Sequence, residues 1–481
     1  MERRGRRALN LRTAALFGLA VVTASISARA AESEAPSGEA ATTSQGGGAA
    51  PAPGPGSSPA YQVAPAPIPA KAPMGLTVEA YGALIPFAEY IRSDGATAPG
   101  FVGGASQVDF DAYTGFNAKP RFRMTSGTSD IGFRGTFEFS PQLKLTWQVE
   151  SLVPVDGNGP SSYTFASRNT HIGFTGGWGT LVFGNWDTPW KWATLVTINP
   201  MPGAFAGDYT SIISTPGFGV AAINSTSLLQ GSISNAAFYR RAPNSFQYWS
   251  PNVAGFTVRL MAAFNEERSN PEETLGPGTN PYLLSGYLGF DGGGLRVRYA
   301  AEIHKDYFGM SQLGGTTPAP SDTVTSSTDV GHQLTVQYAL TVSPAFRTRL
   351  VGTGELLTYQ QQDSTVDAIN RYSRFAFYAL LEQKLFSHRV WAAYGQDLPG
   401  ECRRVGGNPC TTIGLGARLA TLGYLYTLND NTMIFLTGYR IFNDASANHS
   451  TFPILQPDAP GADITAFGLG IFYSFAVSYH R

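Results

Sequence analysis

The sequence has little of what several common classes of protein need. Only 14% of its 481 residues are charged, which is few for the surface of a soluble protein. Its formal net charge is −1, so it offers no strongly basic surface, and nucleic acid is not an expected partner. Beyond the N-terminus it contains no run of about 18 or more apolar residues, which excludes a helical membrane protein. A soluble exported protein and a membrane β-barrel remain.

Cysteine is also scarce, with Cys402 and Cys410 as the two examples. Their spacing lacks the paired ligands of a zinc site, so we expect no metal and no cofactor. In an exported protein the two thiols can form a disulfide, and the ring would add about 2.5 kcal/mol in the chain-entropy model. We predict this loop disulfide, with free thiols as the alternative.

The N-terminus has the three parts of an export signal. A basic start, "MERRGRR", precedes an apolar stretch over residues 14–26, and Ala28-Arg29-Ala30 supplies an A-x-A cleavage site. An uncleaved anchor is the alternative, but the apolar stretch is shorter than the roughly 20 residues that span a bilayer as a helix. We predict a signal peptide over residues 1–30.

Residues 31–75 are rich in Ala, Pro, Gly and Ser, as in "GGGAAPAPGPGSSPA". Such a composition cannot bury a core and predicts a flexible or extended linker. It serves either as a passive leader or as a tether.

From Leu76 onward, apolar and polar residues alternate with the period of a β-strand. In "QLKLTWQVES", Leu143, Leu145, Trp147 and Val149 share one face of the strand. Very short turns and long polar loops follow one another along the chain, which is typical of a transmembrane β-barrel. We predict an all-β domain over residues 76–481 with sixteen antiparallel strands. They lie near residues 76–92, 121–139, 142–152, 167–175, 179–185, 243–250, 255–264, 282–290, 294–304, 332–341, 345–357, 372–386, 388–396, 413–428, 431–443 and 463–475.

The polar faces of these strands carry many arginines. A soluble β-sandwich also alternates, but arginine on strand after strand fits a water-filled lumen better. The residues that we expect to line this lumen are Lys144, Arg259, Arg296, Arg298, Arg347, Arg349, Arg374, Arg418 and Arg440.

Several stretches resemble the general porins of Gram-negative outer membranes, especially the betaproteobacterial type. The resemblance covers residues 76–475 and depends on the order and spacing of four segments. They are "SDIGFRGTFEFSPQLKLTWQVES", "ASRNTHIGFTGGWGTLVFGNWDTPW", "RRAPNSFQYWSPNVAGFTVRLMAAF", and "LGYLYTLNDNTMIFLTGYRIFND" with "DITAFGLGIFYSF".

The resemblance implies a multi-pass protein of the outer membrane, a homotrimer in contact with membrane lipid and lipopolysaccharide. Each barrel would pass small hydrophilic solutes, and its third long loop would fold inward and narrow it. The residues agree with this, because a 16-stranded barrel leaves an aqueous channel. A structureless segment as long as residues 186–242 is normally functional in a compact domain.

In this family, basic wall residues face acidic residues of the third loop, and here both sides are altered. Asp130 stands where the family has Arg, and Arg134 is the next position facing the lumen. His171 replaces a residue that is often basic. The loop holds just two acids. The constriction predicted by the resemblance comprises Asp130, Arg134, Arg168, His171, Asp187, Asp208, Arg240 and Arg241.

Because wall arginines exceed loop acids, we expect a channel that is weakly anion-leaning or unselective. A substrate-specific porin for a sugar or organic anion is the alternative. Trp186, Trp190 and Trp192 either pack the loop against the wall or stack a solute. Phe475 matches the aromatic residue that usually ends the family, so "AVSYHR" after it either lengthens the last strand or protrudes.

Two other classes were weighed. A barrel lipase would need Ser and His in reach of one another, and none of the six histidines can be paired with a serine in a recognisable motif, so we do not expect an enzyme. A soluble adhesin or β-sandwich also fits the alternation, and heat-dependent migration in detergent gels would exclude it.

Overall fold

The computed structural model describes residues 75–96, 120–157, 165–195, 197–200, 207–218, 236–264, 278–313, 316, 319–450 and 460–480. The predicted signal peptide lies outside the described residues, and so does the predicted linker apart from residue 75.

Twenty strands among the described residues form one antiparallel sheet. The first ten are Leu76–Leu84 (β1), Phe87–Asp94 (β2), Arg121–Thr125 (β3), Asp130–Ser140 (β4), Leu143–Leu152 (β5), Thr170–Gly176 (β6), Gly179–Asp187 (β7), Arg241–Trp249 (β8), Phe256–Phe264 (β9) and Tyr282–Gly292 (β10). The others are Leu295–Lys305 (β11), Val324–Ser343 (β12), Phe346–Asp363 (β13), Ile369–Leu385 (β14), His388–Asp397 (β15), Glu401–Arg404 (β16), Pro409–Cys410 (β17), Ala417–Asn429 (β18), Thr432–Asn443 (β19) and Asp463–His480 (β20).

These strands make sixteen staves of a barrel. β1 and β2 both pair with β20, so they are one stave interrupted at Ile85 and Pro86. Pro86 has no N–H to give to a neighbouring strand, which explains the break. β3 and β4 likewise pair with β2 and β1 and form the second stave. β16 and β17 are a small hairpin between β15 and β18. The predicted fold class and strand number are confirmed.

The barrel closes where its last strand meets its first. Phe475 lies opposite Gly82, and the pairing continues to His480 opposite Thr77. The residues that follow Phe475 therefore extend the last strand along β1, which is one of the two outcomes expected from the sequence.

Side chains alternate between the two faces of the barrel wall. Along β13, Arg349, Thr353 and Glu355 face inward and are buried, whereas Leu350 and Leu356 face outward and are exposed. An apolar exterior over a polar interior is the arrangement required of strands that cross a lipid bilayer. No helix among the described residues is long and apolar enough to span a membrane.

Two of the expected lumen residues lie on the other face. In β18 the inward positions are Leu419 and Thr421, so Arg418 points outward. In β19 the inward positions are Tyr439 and Ile441, so Arg440 also points outward. The prediction that both arginines line the lumen is wrong, because period-two alternation assigns two faces without saying which one is inside.

The segment over residues 188–240 folds inside the barrel, and we call it the inner loop. It begins with a short helix, Pro189–Leu195 (α1), and contains a 3₁₀ turn at Tyr209–Ser211. Its described residues are almost entirely buried against the strands. A second 3₁₀ turn, Gly309–Gln312, follows β11.

Candidate functional site

The start of the inner loop is fixed to the wall by α1. The helix packs on β10, β11 and β12. The Trp190 backbone N–H donates to Ser285 Oγ at 3.1 Å, and its indole Nε1–H donates to Ser214 Oγ at 3.2 Å. Trp190 is fully buried beside Phe238. Trp186 and Trp190 therefore pack the loop against the wall.

The loop's anchor below α1 is a pair of arginines from β13 and β15. Arg349 Nη1 donates to the Thr197 carbonyl at 2.9 Å, and its Nη2 donates to the Ile198 carbonyl at 3.2 Å. Arg389 donates to the Pro200 carbonyl. These carbonyls follow the end of α1, where a cation is favourable because helix-terminal carbonyls are unpaired.

The tip of the loop is held by a buried ionic network. Arg374 Nη2 lies 2.7 Å from Glu355 Oε1, and its Nη1 lies 2.8 Å from Asp397 Oδ1. The same guanidinium donates to the Thr215 carbonyl, and the Ser214 N–H donates to Glu355 Oε1 at 2.6 Å. Three strands, β13, β14 and β15, thereby grip residues 214–215.

His449 ties a second loop to this network. His449 Nε2 lies 2.8 Å from Asp397 Oδ2, and the Asn448 N–H donates to the Gly217 carbonyl at 2.9 Å. A β-carbon at Gly217 would come within 2.3 Å of His449 Nε2. Glycine is therefore required for this close approach between the inner loop and the segment after β19.

Asp208 lies inside the loop structure. Its Oδ1 accepts from the Thr210 N–H at 3.0 Å and from the Thr210 hydroxyl, so it caps the 3₁₀ turn. Thr421 of β18 donates to the Gly207 carbonyl at 2.7 Å and fixes the turn to the wall. Asp208 is fully buried, and its charge is used by the loop itself.

Asp187, the other loop acid, is buried in an ionic cluster at the loop entrance. Lys191 Nζ lies 2.7 Å from its Oδ1, and Arg241 Nη2 lies 3.2 Å from the same oxygen. Asn169 donates to Asp187 and accepts from Arg241, at 2.9 Å and 2.6 Å. Burial lowers the pKa of the Lys191 ammonium to about 8, although the Asp187 carboxylate opposes the shift.

Arg168 lies between two acids of the neighbouring strands. Its Nε is 2.6 Å from Glu150 Oε1, and its Nη2 is 3.5 Å from Asp130 Oδ2. The Tyr81 hydroxyl donates to Glu150 at 2.9 Å. Asp130, the departure from the family pattern, therefore forms an ion pair with the family-like Arg168.

Further ion pairs continue along β1, β4 and β5. Arg134 pairs with Glu79, and Lys144 pairs with Glu138. All four side chains remain partly exposed on the inner face. We call this surface the ion-paired wall: Glu79, Arg134, Glu138, Lys144, Glu150 and Arg168.

His171 is buried between aromatic rings. Its ring lies 4.6 Å from that of Trp186 and 6.0 Å from that of Trp249. Neither ring nitrogen has a hydrogen-bond partner within the described part of the chain. The position that is often basic in the family is therefore occupied here by an aromatic packing residue.

The remaining predicted cations are at the wall behind the loop. Arg240 donates twice to the Ala237 carbonyl and lies over the Tyr307 ring. Arg259 lies over Trp192, 3.7 Å from the ring centroid. Arg296 and Arg298 pair with Asp291 at 3.1 and 2.5 Å.

Cys402 and Cys410 are joined in a disulfide, with their Cα atoms 5.3 Å apart. They lie opposite one another in the β16–β17 hairpin, and Cys402 packs into the buried cluster that contains Trp190 and Phe218.

Sequence reasoning missed the acids of the wall and one anchoring arginine. They are Glu79, Glu89, Glu138, Glu150, Glu355, Glu382, Asp397, Arg389 and His449. A usable signal existed for the strand acids, because each occupies the same alternating face as a cation on the adjacent strand. His449 follows β19 and had no such signal.

The closed barrel, its apolar exterior and its charged interior define a membrane channel fold. The profile of the Gram-negative porin family matches residues 18–446, and the chain belongs to this family. An 80-residue segment is 36% identical to the major outer membrane protein P.IA of Neisseria meningitidis; it covers 16% of this chain and 20% of that relative. The match thus spans about a fifth of the curated relative's length.

Solved structures agree on the fold. The anion-selective porin from Comamonas acidovorans is 15% identical, with a TM-score of 0.59 over 83% of this chain and 100% of that chain. The outer membrane channel DcaP of Acinetobacter baumannii is 14% identical, with a TM-score of 0.48 over 84% of this chain and 99% of that chain. Family and fold together identify a multi-pass outer-membrane protein.

Proposed function

We propose that the barrel is a water-filled channel through which small hydrophilic solutes and ions diffuse passively. The observation that carries this proposal is the ion-paired wall. It lies on β1–β6, across the barrel from β12–β15, where the inner loop is anchored. Charged side chains that remain partly exposed on an inner face need water, and an apolar outer face needs lipid.

Reconstitution into planar bilayers tests the channel. We expect stepwise conductance in KCl, and swelling of proteoliposomes at rates that fall as the size of the added sugar rises. Protein unfolded before reconstitution is the control. Conductance no greater than that of this control would refute the proposal. Family and fold point to a channel rather than an enzyme, and a lipase assay on the refolded barrel would reveal hydrolysis.

The proposed selectivity is weakly anion-leaning or absent. Asp187 and Asp208, the loop acids, are buried and already paired or capping. Arg296 and Arg347 remain substantially exposed on the inner face. A KCl gradient across the bilayer should therefore give a small reversal potential of the anion-selective sign, and a strong cation-selective potential would contradict it.

We propose a homotrimer. Its support is an outer face rich in phenylalanine on adjoining strands, including Phe133, Phe137 and Phe139 of β4, Phe174 of β6 and Phe183 of β7. An apolar surface of this kind serves either lipid or a neighbouring subunit. Unheated protein in detergent gels should migrate as a trimer and heated protein as a monomer; a monomeric mass by light scattering would contradict this.

We also propose contact with lipopolysaccharide, through Arg92, Arg418 and Arg440. All three point outward at the long-loop end of adjacent staves, and Arg92 and Arg440 flank Thr465. Guanidinium groups at this level suit the phosphates of a lipid headgroup. R418Q should weaken co-purification of lipopolysaccharide, whereas R134Q on the inner face should not.

A further inference from the structure

Four cations gather on the inner face at the short-turn end of β13, β14 and β15. They are Arg347, Arg349, Lys384 and Arg389, which we call the basic cluster. Arg347 lies opposite Lys384, and Lys384 lies opposite Arg389. The turns beside them are the short ones, at residues 344–345 and 386–387, which places the cluster at the periplasmic end of the barrel.

One carboxylate, Glu382, balances this cluster among the described residues. Its oxygens lie 2.7 Å from Arg349 Nη2, 3.2 Å from Arg347 Nη2 and 3.8 Å from Arg389 Nε. The nearby arginines repel one another, and Arg296 adds to the repulsion at Arg349. Asp291 is occupied by Arg296 and Arg298. The cluster therefore has positive charge to spare.

The cluster also has unused donors. The buried Nε atoms of Arg347, Arg349 and Arg389 have no hydrogen-bond acceptor within the described residues. The other arms of Arg349 and Arg389 hold the inner-loop carbonyls of Thr197, Ile198 and Pro200. Leaving buried charged donors unmade is costly, so an acceptor at this position would be favoured.

The cluster is open to solutes from the lumen. The Arg347 side chain is 36% exposed, and Lys384 is partly exposed with its ammonium on the Pro344 carbonyl at 2.9 Å. Because Arg349 and Arg389 hold the base of the inner loop, this open face lies directly beside that base.

We propose that the basic cluster binds a small multivalent oxyanion, phosphate or a dicarboxylate, at the periplasmic side of the inner loop. Guanidinium groups recognise such anions through paired N–H donors, and a lysine adds a compact charge. The proposal rests on the proposed channel function for access from the lumen. It differs from the constriction predicted from the sequence, since β13–β15 stand across the barrel from the ion-paired wall.

Two measurements on the refolded, full barrel test this site. In bilayers, inorganic phosphate or succinate is added on either side at constant ionic strength, and the KCl conductance is recorded. In detergent, calorimetry measures the binding of the same two probes without requiring conduction. We expect saturable block and saturable binding. Phosphate alone, succinate alone or both producing the effect identifies the oxyanion chemistry.

The variant is R347Q/K384Q, which leaves the two loop-holding arginines in place. We expect its half-saturating concentration to rise about tenfold or more, while R440Q on the outer face behaves like the parent barrel. Effects that never saturate, or that are equal in parent and R347Q/K384Q, would overturn the site. Conduction without anion binding refutes this inference alone. Binding without conduction refutes the channel function and leaves the site standing.

Discussion

Arg374 on β14 and Asp397 on β15 form a fully buried ion pair, with Nη1 and Oδ1 2.8 Å apart. The pair is completed on one side by Glu355 and on the other by His449. It does not merely join two strands that are already hydrogen-bonded. Through Thr215 and Ser214 it holds the tip of the inner loop against the wall.

Removing the arginine should release the loop tip. R374Q leaves Glu355 and Asp397 as buried carboxylates without their cation, which costs about 3–5 kcal/mol. We expect faster proteolysis within residues 207–240, and noisier single-channel currents. R440Q breaks the exposed Arg440–Asp463 pair and should cost no more than about 1 kcal/mol. Equal protease resistance in R374Q and the parent would show that the network does not hold the tip.

Glu382 controls the charge of the basic cluster. E382Q removes one negative charge and keeps two polar groups for hydrogen bonding, so we expect the reversal potential in a KCl gradient to shift toward anion selectivity. D463N removes an acid from the outer side of the wall and should leave that potential unchanged. A shift toward cations in E382Q would contradict the placement of the basic cluster on the lumen side.

Trp190 is expected to be the main apolar anchor of the inner loop. W190A removes a fully buried ring and two hydrogen bonds, and such truncations cost about 3–5 kcal/mol. The measurement is the urea midpoint of the refolded barrel, together with protease sensitivity of the loop. W178A, at the exposed turn between β6 and β7, should change neither. A loop that stays protected in W190A would assign the anchoring to Arg349 and Arg374 alone.

The disulfide should act locally. Reduction, or C402A/C410A, should leave the barrel folded because the β16–β17 hairpin lies outside the sixteen staves. It should increase tryptic cleavage after Arg403 and Arg404, which lie within the ring. Mass spectrometry of the fragments checks this, with C402S/C410S as a second variant. Loss of the heat-resistant barrel band on reduction would show a wider structural role.

Asp306, in the segment after β11, predicts an acid-sensitive loop. Burial opposes ionisation, but hydrogen bonds from Ser326 Oγ and the Ser327 and Asn280 N–H groups lower the pKa of the Asp306 carboxyl. Since the folded pKa lies below the unfolded one, this stabilisation is present at neutral pH and is lost as pH falls through the folded pKa. Hydrogen exchange at Ser327 should therefore rise in acid, and D306N should show little such dependence.

Much of the fold could be read from the sequence because a barrel strand carries its instruction locally. Alternation over residues 142–152 gave one strand, and repeating that reading gave sixteen. The same rule failed for Arg418 and Arg440. The alternation of β18 and β19 is nearly as apolar on the inner face, where Leu419 and Ile441 pack against the inner loop, so the sequence offered no way to tell the faces apart.

The constriction residues were harder to place because their roles depend on partners far away in the chain. Asp208 looked like the lumen-facing charge of an acid-poor loop, yet it caps a turn. His171 looked like a substitute for a basic residue, yet it packs between Trp186 and Trp249. Both outcomes follow from contacts that no local pattern encodes.

The sequence by itself determined the all-β class, the number of staves and the position of the long loop, because strand period and turn length are local properties. The tertiary structure decided which face is the lumen, which acid neutralises which arginine, and where positive charge is left over. Those depend on barrel closure, which brings Glu355, Arg374 and Asp397 from separate strands within hydrogen-bonding distance around a loop that is distant in sequence.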